Sequence, residues 1–483
     1  MKYKKIKTQK NIKRKSKSIK KHIFSNKKSI KKSTKKNYLN FKGGDDILPT
    51  AFTFNKEYIK TDKAKKIGNF MLSNRDKIKS LFLKTICSDS GLCIAFGVEG
   101  DKIKNFFDNF TTGKYVSFPI KRIGKASVNG FVDAITYERE GYKANAVLKS
   151  MVSDQSDNLY YEYLVGKFIN KWNLIYPCFL ETYGLFKYNS YEDWEYVNKF
   201  HEIYKKNILK ENLTYIPDPT ISDSCTNFLD LALLIQHINN SKTLHDVINE
   251  NKNNNNDLFK FELINILYQI YMPLAAMKDI YTHYDLHPGN VLLYEPIQNK
   301  YIQYYYHSIN PIKPVVEFKS KYIVKIIDYG RSYFKDDTND ALKVYNEVCS
   351  TKECTPCGVD YGYYYLSPEK YPGKSHYISS QKKNASHDLR LLDYLKKYGL
   401  DTFHELNILL SNVIYDEDYG TKENLSFDQN KIQNVKDAFE EMEKILLIGK
   451  IKGVNNNIYS KMGKIGDLNI YEDGRPMEFI KSQ

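Results

Sequence analysis

The sequence predicts an α+β fold, with an antiparallel sheet in the first half and helices dominating the second. Three observations carry this. Between 116 and 149, apolar and polar residues alternate in runs broken by turns, the period of a half-buried strand. Between 257 and 280, apolar residues recur at helical spacing. Residues 386–483 read as mostly helical.

Bulk composition narrows the class. With 483 residues, 42% hydrophobic and 14% aromatic, the chain can fill a real core, as one large domain or two to three ordinary ones. No run approaches the roughly 18 apolar residues of a membrane helix. The seven Cys lack even spacing and no signal peptide precedes them. A reducing intracellular compartment is expected, not secretion. The net charge of +16 is concentrated: residues 1–42 carry 18 of the 73 Lys and Arg and no Asp or Glu. The remainder holds 55 basic against 57 acidic residues, a net of −2. The tail is too rich in Lys and Ser to fold alone. Three readings stand open for it: a solvated arm, a contact for an acidic partner or nucleic acid, and a nuclear address. The lean to Lys, Asn, Ile and Tyr, with 41 Tyr, implies an AT-rich coding genome.

The elements follow in order. Gly43-Gly44-Asp45-Asp46 ends the tail, and 43–115 reads as a partly helical extension. There Asn74 caps a segment whose Ile78, Leu81, Phe82 and Ile86 share a face, and Ile103, Phe106, Phe107 and Phe110 make a second stripe. Strands are expected over 116–120, 123–132, 134–137 and 144–149, with a turn at Gly141. A helix around 157–170 places Glu162, Val165 and Ile169 on one face. An apolar run over 226–238 breaks at Asn239-Asn240-Ser241-Lys242, and Asn251 to Asn256 form a low-complexity loop. In the helix over 257–280, Leu263, Leu267, Ile270, Leu274 and Met277 make a stripe facing a core. A Tyr-rich insertion after Val291 is expected to form a hairpin with 322–327, and Lys436 to Leu447 a helix.

The chemistry concentrates in two motifs. Residues 283 to 290 read His283-Tyr284-Asp285-Leu286-His287-Pro288-Gly289-Asn290, followed by the apolar Val291-Leu292-Leu293. Thirty-eight positions after Asn290 comes Ile326-Ile327-Asp328-Tyr329-Gly330. A carboxylate, an amide five residues on and a second carboxylate are what Mg-assisted phosphoryl transfer needs: one positions a hydroxyl, two hold metal. Upstream, Lys149 ends the strand Ala146-Val147-Leu148, and Glu162 lies thirteen residues on. Gly124 and Gly130 flank a turn suited to phosphate contacts, although Ala126 stands where a Gly-rich loop has its middle Gly, and a plain hairpin turn fits equally. His283 reads as a structural hydrogen-bonder, and neither it nor His287 as a base. Asp388 is open between a helix cap and a brace accepting N–H groups of the 283–285 loop. Cys349, Cys354 and Cys357 with His376 and His387 have the residue types of a zinc site, but free thiols are the reading taken.

Together these residues resemble the protein kinase-like superfamily, and in detail the divergent serine/threonine protein kinases of giant DNA viruses, where an AT-rich composition also belongs. The resemblance spans roughly 116–400. It implies a two-lobed fold: a small lobe of sheet plus helix over 116–238, and a larger helical lobe over 239–483 with an insertion at 295–320. It implies that ATP lies between them, with Gly124, Ala126, Gly130, Val132 and Lys149 toward the nucleotide and Gln236 and Ile238 in the linker that binds adenine. Glu162 would pair with Lys149, Asp285 would be the catalytic base, and Asn290 and Asp328 would hold Mg²⁺ or Mn²⁺. Leu366-Ser367-Pro368-Glu369 resembles the end of an activation segment. The implied activity is ATP-dependent phosphorylation of protein hydroxyls, in a host cytoplasm or nucleus or packaged in a virion. The chain also departs from the pattern. Tyr284 replaces the Arg that reads a phosphorylated activation loop, so such control is not expected. His287 replaces the Lys expected two residues after Asp285. Asp-Leu-His-Pro-Gly-Asn is also similar to the loop of aminoglycoside and choline kinases. A small-molecule kinase and an inactive ATP-binding module stay open as alternatives.

Overall fold

The alternating stretch from 116 folds as three antiparallel strands and not as the four runs expected: Ile123 and Gly124 lie outside any strand, and 134–137 belongs to one strand that starts at Phe131. In this computed structural model, β1 (Val116–Arg122), β2 (Phe131–Arg139) and β3 (Tyr142–Ser150) pair in succession. Glu140 and Gly141, both at positive φ, make the tight turn between β2 and β3, where Gly adopts that backbone without strain. The described residues are 98–482 without 125–129, 153–157, 200–201, 221, 224–229, 252–256, 337–361, 366–374, 379–381, 399–403, 416–430 and 453–458, plus 86–87 and 93–94. All belong to one unit, Asn55–Gln483. The basic tail, Asn74 to Phe82, Ala126, the three cysteines and residues 366–369 lie outside them.

Three further strands, β4 (Thr182–Tyr188), β5 (Leu213–Ile216) and β6 (Leu231–Gln236), complete a six-stranded sheet in the order β1-β2-β3-β6-β4-β5. On β6, Leu231 and Leu233 enter one core while Ala232 and Leu234 enter another. Burial on both faces is why this stretch reads as a continuous apolar run and not as an alternation. Helix α1 (Val98–Phe106) leads into Phe107 and Phe110, which are fully buried against the sheet, with Ile103 and Phe106 packed beside them. That second stripe is therefore a packing face. Ile86, expected on the helical face opened by Asn74, lies instead in the two-residue strand Ile86–Cys87, paired with Cys93–Ile94.

Helix α2 (Leu159–Trp172) starts at Asn158, whose side chain accepts the Tyr161 N–H at 3.0 Å, satisfying one of the free donors of a first turn. Glu162, Val165 and Ile169 are all buried. Helices α3 (Tyr191–Lys199) and α4 (Glu202–Glu211) contribute Trp194, Val197 and Leu209 to the core that holds Phe107 and Phe110. Asp133, fully buried on β2, accepts from Arg122 Nε at 2.9 Å and Lys205 Nζ at 2.8 Å, tying α4 to the sheet.

The second half contains α5 (Leu244–Asn251), α6 (Asp257–Ala276), α7 (Arg390–Lys396), α8 (His404–Asn412) and α9 (Val435–Lys452). The predicted stripe of α6 is buried, but so are Ile264, Ile266, Tyr268, Tyr271 and Met272. From Glu262 to Leu274 the helix is covered on all sides, not along one face. The cause is the insertion. After the 283–290 loop come β7 (Val291–Tyr294), β8 (Lys300–His307), β9 (Val316–Ser320) and β10 (Ile323–Ile326). As expected, 322–327 pairs back on the stretch after Val291, β10 antiparallel with β7 at its start. The insertion pairs with itself, β8 with β9, and β8 runs parallel to β11 (Gly463–Tyr471). With β12 (Glu478–Lys481) these form a sheet in the order β9-β8-β11-β12. Residues 463–471 and 478–481 are thus strands, correcting the helical expectation for this end of the chain. The second edge of β8 supplies β11 with backbone partners that no local pattern announces. Tyr306 and Phe318 of this sheet meet Tyr268 of α6 edge-on at 4.9 and 5.8 Å, and Phe439 of α9 meets it at 5.5 Å.

Glu262 of α6 has no solvent exposure. It accepts Ser320 Oγ at 2.6 Å and the Lys321 N–H at 2.8 Å. Burial pushes its carboxyl up to about 7 in spite of those bonds. The folded chain therefore keeps a proton that the unfolded chain gives up at lower pH. This stability is present below the unfolded value and is lost as pH rises toward 7. Glu262→Gln, neutral throughout, is expected to flatten the profile. Its melting temperature should gain on the wild type between about pH 5 and about pH 8, by the equivalent of up to roughly 3 kcal/mol. A pH-independent gap would refute the assignment. No helix among the described residues is long and apolar enough to cross a membrane.

Candidate active site

Strand alternation places Leu148 in the core beside α1 and turns Lys149 to the other face of β3. Lys149 lies in register with Val132 on one side and Leu233 on the other. Its Nζ reaches Glu162 Oε2 at 2.7 Å and Asp328 Oδ1 at 3.1 Å. Glu162 is 1% exposed, and a carboxylate so buried requires a cation close by. Asp328 follows β10 at a φ of +69°, a backbone that costs a non-Gly residue energy and is held by its surroundings. Lys149 outweighs burial and holds the Asp328 carboxyl below the usual range.

The 283–290 loop is fixed from two sides. Asp388 accepts the N–H of His283 at 2.8 Å and of Tyr284 at 3.0 Å. It is therefore a brace; Ser386 takes the N-cap position of the short helical turn, without a side-chain capping bond. His283 accepts the Asp285 N–H on Nδ1 at 3.2 Å, which makes Nε2 the donor to the Ile327 carbonyl at 2.9 Å. Burial lowers its pKa and keeps the ring neutral, as this bonding requires. Asn290 donates through Nδ2 to the Asp285 carbonyl at 2.9 Å, and its own carbonyl accepts the Ile327 N–H at 3.1 Å. Ile327 is thus bonded to both ends of the loop, and it immediately precedes Asp328. Tyr329 adds a further tie: its hydroxyl donates to the Ile326 carbonyl at 2.9 Å and accepts the Leu180 N–H at 2.9 Å. These bonds set the position of Asp285 and Asn290 relative to Asp328 and Lys149.

Two arginines that the sequence reading missed complete the cluster. Arg390 Nη1 lies 2.7 Å from Asp285 Oδ1, and Arg331 Nη1 lies 3.1 Å from Oδ2. Burial alone would raise the Asp285 carboxyl; Arg390 and then Arg331 overcome it and hold the group far below the carboxylate range. His287 stands 3.8 Å from Asp285 Oδ1, and burial lowers its pKa. Its Nδ1 accepts the Gly289 N–H at 3.0 Å. An Arg beside a motif is common on solvated surfaces, so nothing in the spacing marked Arg331 or Arg390.

The other predicted site residues divide. Gly124 has a φ of +67° at the end of β1. Gly130 has a φ of +142°, and a Cβ there would stand 2.2 Å from the Ser150 carbonyl oxygen. Only Gly allows that approach. Gln236 ends β6 and exchanges bonds with Glu181: its N–H reaches the Glu181 carbonyl at 2.8 Å, and its Oε1 accepts the Glu181 N–H at 3.3 Å. Ile238 is 3% exposed, and its carbonyl accepts Ser241 Oγ at 2.9 Å. Of the suggested zinc ligands, His387 is buried beside the Tyr284 ring, with centroids 4.7 Å apart. Among the described residues no group of three or more His, Cys, Asp or Glu could hold a metal ion. No family model matches the chain, and no curated protein matches it.

Proposed function

We propose that the chain is an ATP- and Mg²⁺-dependent phosphotransferase with the two-lobed architecture of the protein kinase-like superfamily, acting on serine or threonine hydroxyls of a protein. The observation that carries this reading is Lys149, bonded at once to Glu162 and Asp328. Asp285 and Asn290 are tied through Ile327 to the same segment. A cation paired with a carboxylate, a second carboxylate, a loop Asp and an Asn are the parts that phosphoryl transfer requires.

The residues fit a magnesium ion. Asp328 is 38% exposed at its side chain and gives Lys149 one oxygen. Asn290 spends Nδ2 on Asp285, which makes Oδ1 the end that can meet a cation. Mg²⁺ takes few protein oxygens and completes its shell with phosphate and water. Bound with ATP, it neutralises charge on the phosphates. Lys149, held by Glu162, meets the phosphate chain, and the resemblance sets Gly124 and Gly130 toward it. The Gln236 carbonyl and Ile238 N–H would face the adenine edge. Asp285 orients the acceptor hydroxyl and takes its proton as the new O–P bond forms. The bond from the γ-phosphorus to the bridging oxygen breaks, and its electron pair leaves with ADP.

A small-molecule acceptor is the second reading. It is favoured by the Asp285-Leu286-His287-Pro288-Gly289-Asn290 loop, in which His287 caps the Gly289 N–H. Transfer from γ-labelled ATP with Mg²⁺ or Mn²⁺ separates the readings. Wild type and Asp328→Ala would each be offered basic protein, acidic protein and mixed small hydroxyl compounds. Label on protein, lost by at least about 10³-fold in Asp328→Ala, is the expected result. Label on small compounds alone would establish the second reading, and nucleotide binding without transfer to any acceptor would mark a binding module. The tail of 1–42 would supply contacts to an acidic partner or nucleic acid.

A further inference from the structure

The two guanidiniums on Asp285 are not equivalent. Arg390 opens α7, two residues from the brace Asp388; its side chain is 5% exposed and its bond is the shorter, 2.7 Å. Arg331 lies just after Gly330 in an irregular segment, with a side chain 12% exposed and a bond of 3.1 Å. One guanidinium balances one carboxylate. Arg390 can therefore keep Asp285 neutralised while Arg331 turns away.

The charge count points the same way. Glu162, Asp285, Asp328 and the brace Asp388 stand against Lys149, Arg331 and Arg390, four carboxylates to three cations. A phosphate chain entering here brings additional negative charge. The cation best placed to turn toward it is Arg331, whose guanidinium also acts electrostatically on Asp328. The 285–290 loop offers no cation of its own, because His287 occupies the position where the resemblance expects Lys. Arg differs from Lys in presenting a planar fork suited to phosphate oxygens.

We infer that Arg331 exchanges partners: it covers Oδ2 of Asp285 in the nucleotide-free protein and moves to the terminal phosphate of bound ATP, uncovering that oxygen for the acceptor hydroxyl. The proposal rests on the phosphotransferase reading and adds to it an order of events, nucleotide before acceptor. It also assigns Arg331 as a γ-phosphate contact.

Because ADP lacks the terminal phosphate, the ratio of ADP to ATP dissociation constants tests the contact without any turnover. Calorimetric titration of Mg·ATP and Mg·ADP would compare the full-length wild type with Arg331→Met and Arg331→Lys. Arg331→Met is expected to lose about 10- to 100-fold in ATP affinity, the range for a charge-assisted bond, with ADP affinity unchanged. Arg331→Lys should recover part of the loss. Equal losses for both nucleotides, or no loss, would overturn the proposal. Tighter ATP binding in Arg331→Met would also overturn it, leaving Arg331 as a fixed cover on Asp285. If circular dichroism shows Arg331→Met unfolded, Arg331→Gln, which keeps a donor for Asp285, carries the same comparison. A wild type that binds neither nucleotide would defeat the phosphotransferase reading itself, a failure separate from a wild type that binds both with an Arg331-independent ratio.

Discussion

Asp285→Asn is expected to lower phosphoryl transfer by about 10²–10⁴-fold, the range attributed to a positioned general base. It should also destabilise the fold. Arg390 and Arg331 both direct a guanidinium nitrogen at Asp285, and Asp285 is only 8% exposed. Removing the carboxylate charge leaves two largely buried cations without the group that balances them here. Breaking a buried pair in this way costs on the order of 3–5 kcal/mol. Asn still offers one carbonyl oxygen, so the loss should fall toward the lower end of that range. Single-turnover transfer and urea unfolding read the two effects separately. A large fall in rate with unchanged stability would mean that solvent already screens the arginines. Unchanged rate would remove Asp285 from the reaction.

Lys149→Met carries the second large effect. Glu162, with a side chain 2% exposed, and Asp328, at 38%, both bond Lys149. Without the ammonium, Glu162 keeps a buried charge that no longer has this partner, again worth about 3–5 kcal/mol. Asp328 is more open to water and should suffer less. Nucleotide affinity and turnover should both fall. The double variant Lys149→Met, Glu162→Leu distinguishes structure from chemistry. Replacing both members of a buried pair by apolar groups is often neutral, so stability should return while turnover stays lost. Recovery of turnover along with stability would show that Lys149 acts only as a counter-ion to Glu162.

The particular elements explain how far the sequence could be read. The sheet strands around 116–149 and the helix bearing Glu162 were legible because their periods are local: two for a strand, 3.6 for a helix. The five-residue interval between Asp285 and Asn290 was legible for the same reason, and the Asn290 side chain does close back on the Asp285 carbonyl. Strands β11 and β12 were missed. The sheet that holds them is assembled on β8, whose Tyr304 pairs in register with Leu468 far along the chain. A segment whose partner lies that far off shows little of its pairing locally. The stripe on α6 was correct, yet it was only part of a surface buried all round, because the covering sheet comes from an insertion and the chain end.

By itself, then, the sequence determined the α+β class, the antiparallel strand texture that begins at 116, the helices carrying Glu162 and the α6 stripe, and the loop holding Asp285 and Asn290. Each depends on residues within a few positions of one another. Only the tertiary structure decided that Asp388 braces that loop, that Lys149 reaches Asp328, and that Arg331 and Arg390 close on Asp285. The physical reason is that a charged side chain carries no record of its distant partner. Burial makes such a partner necessary, and the fold alone determines which residue is within reach.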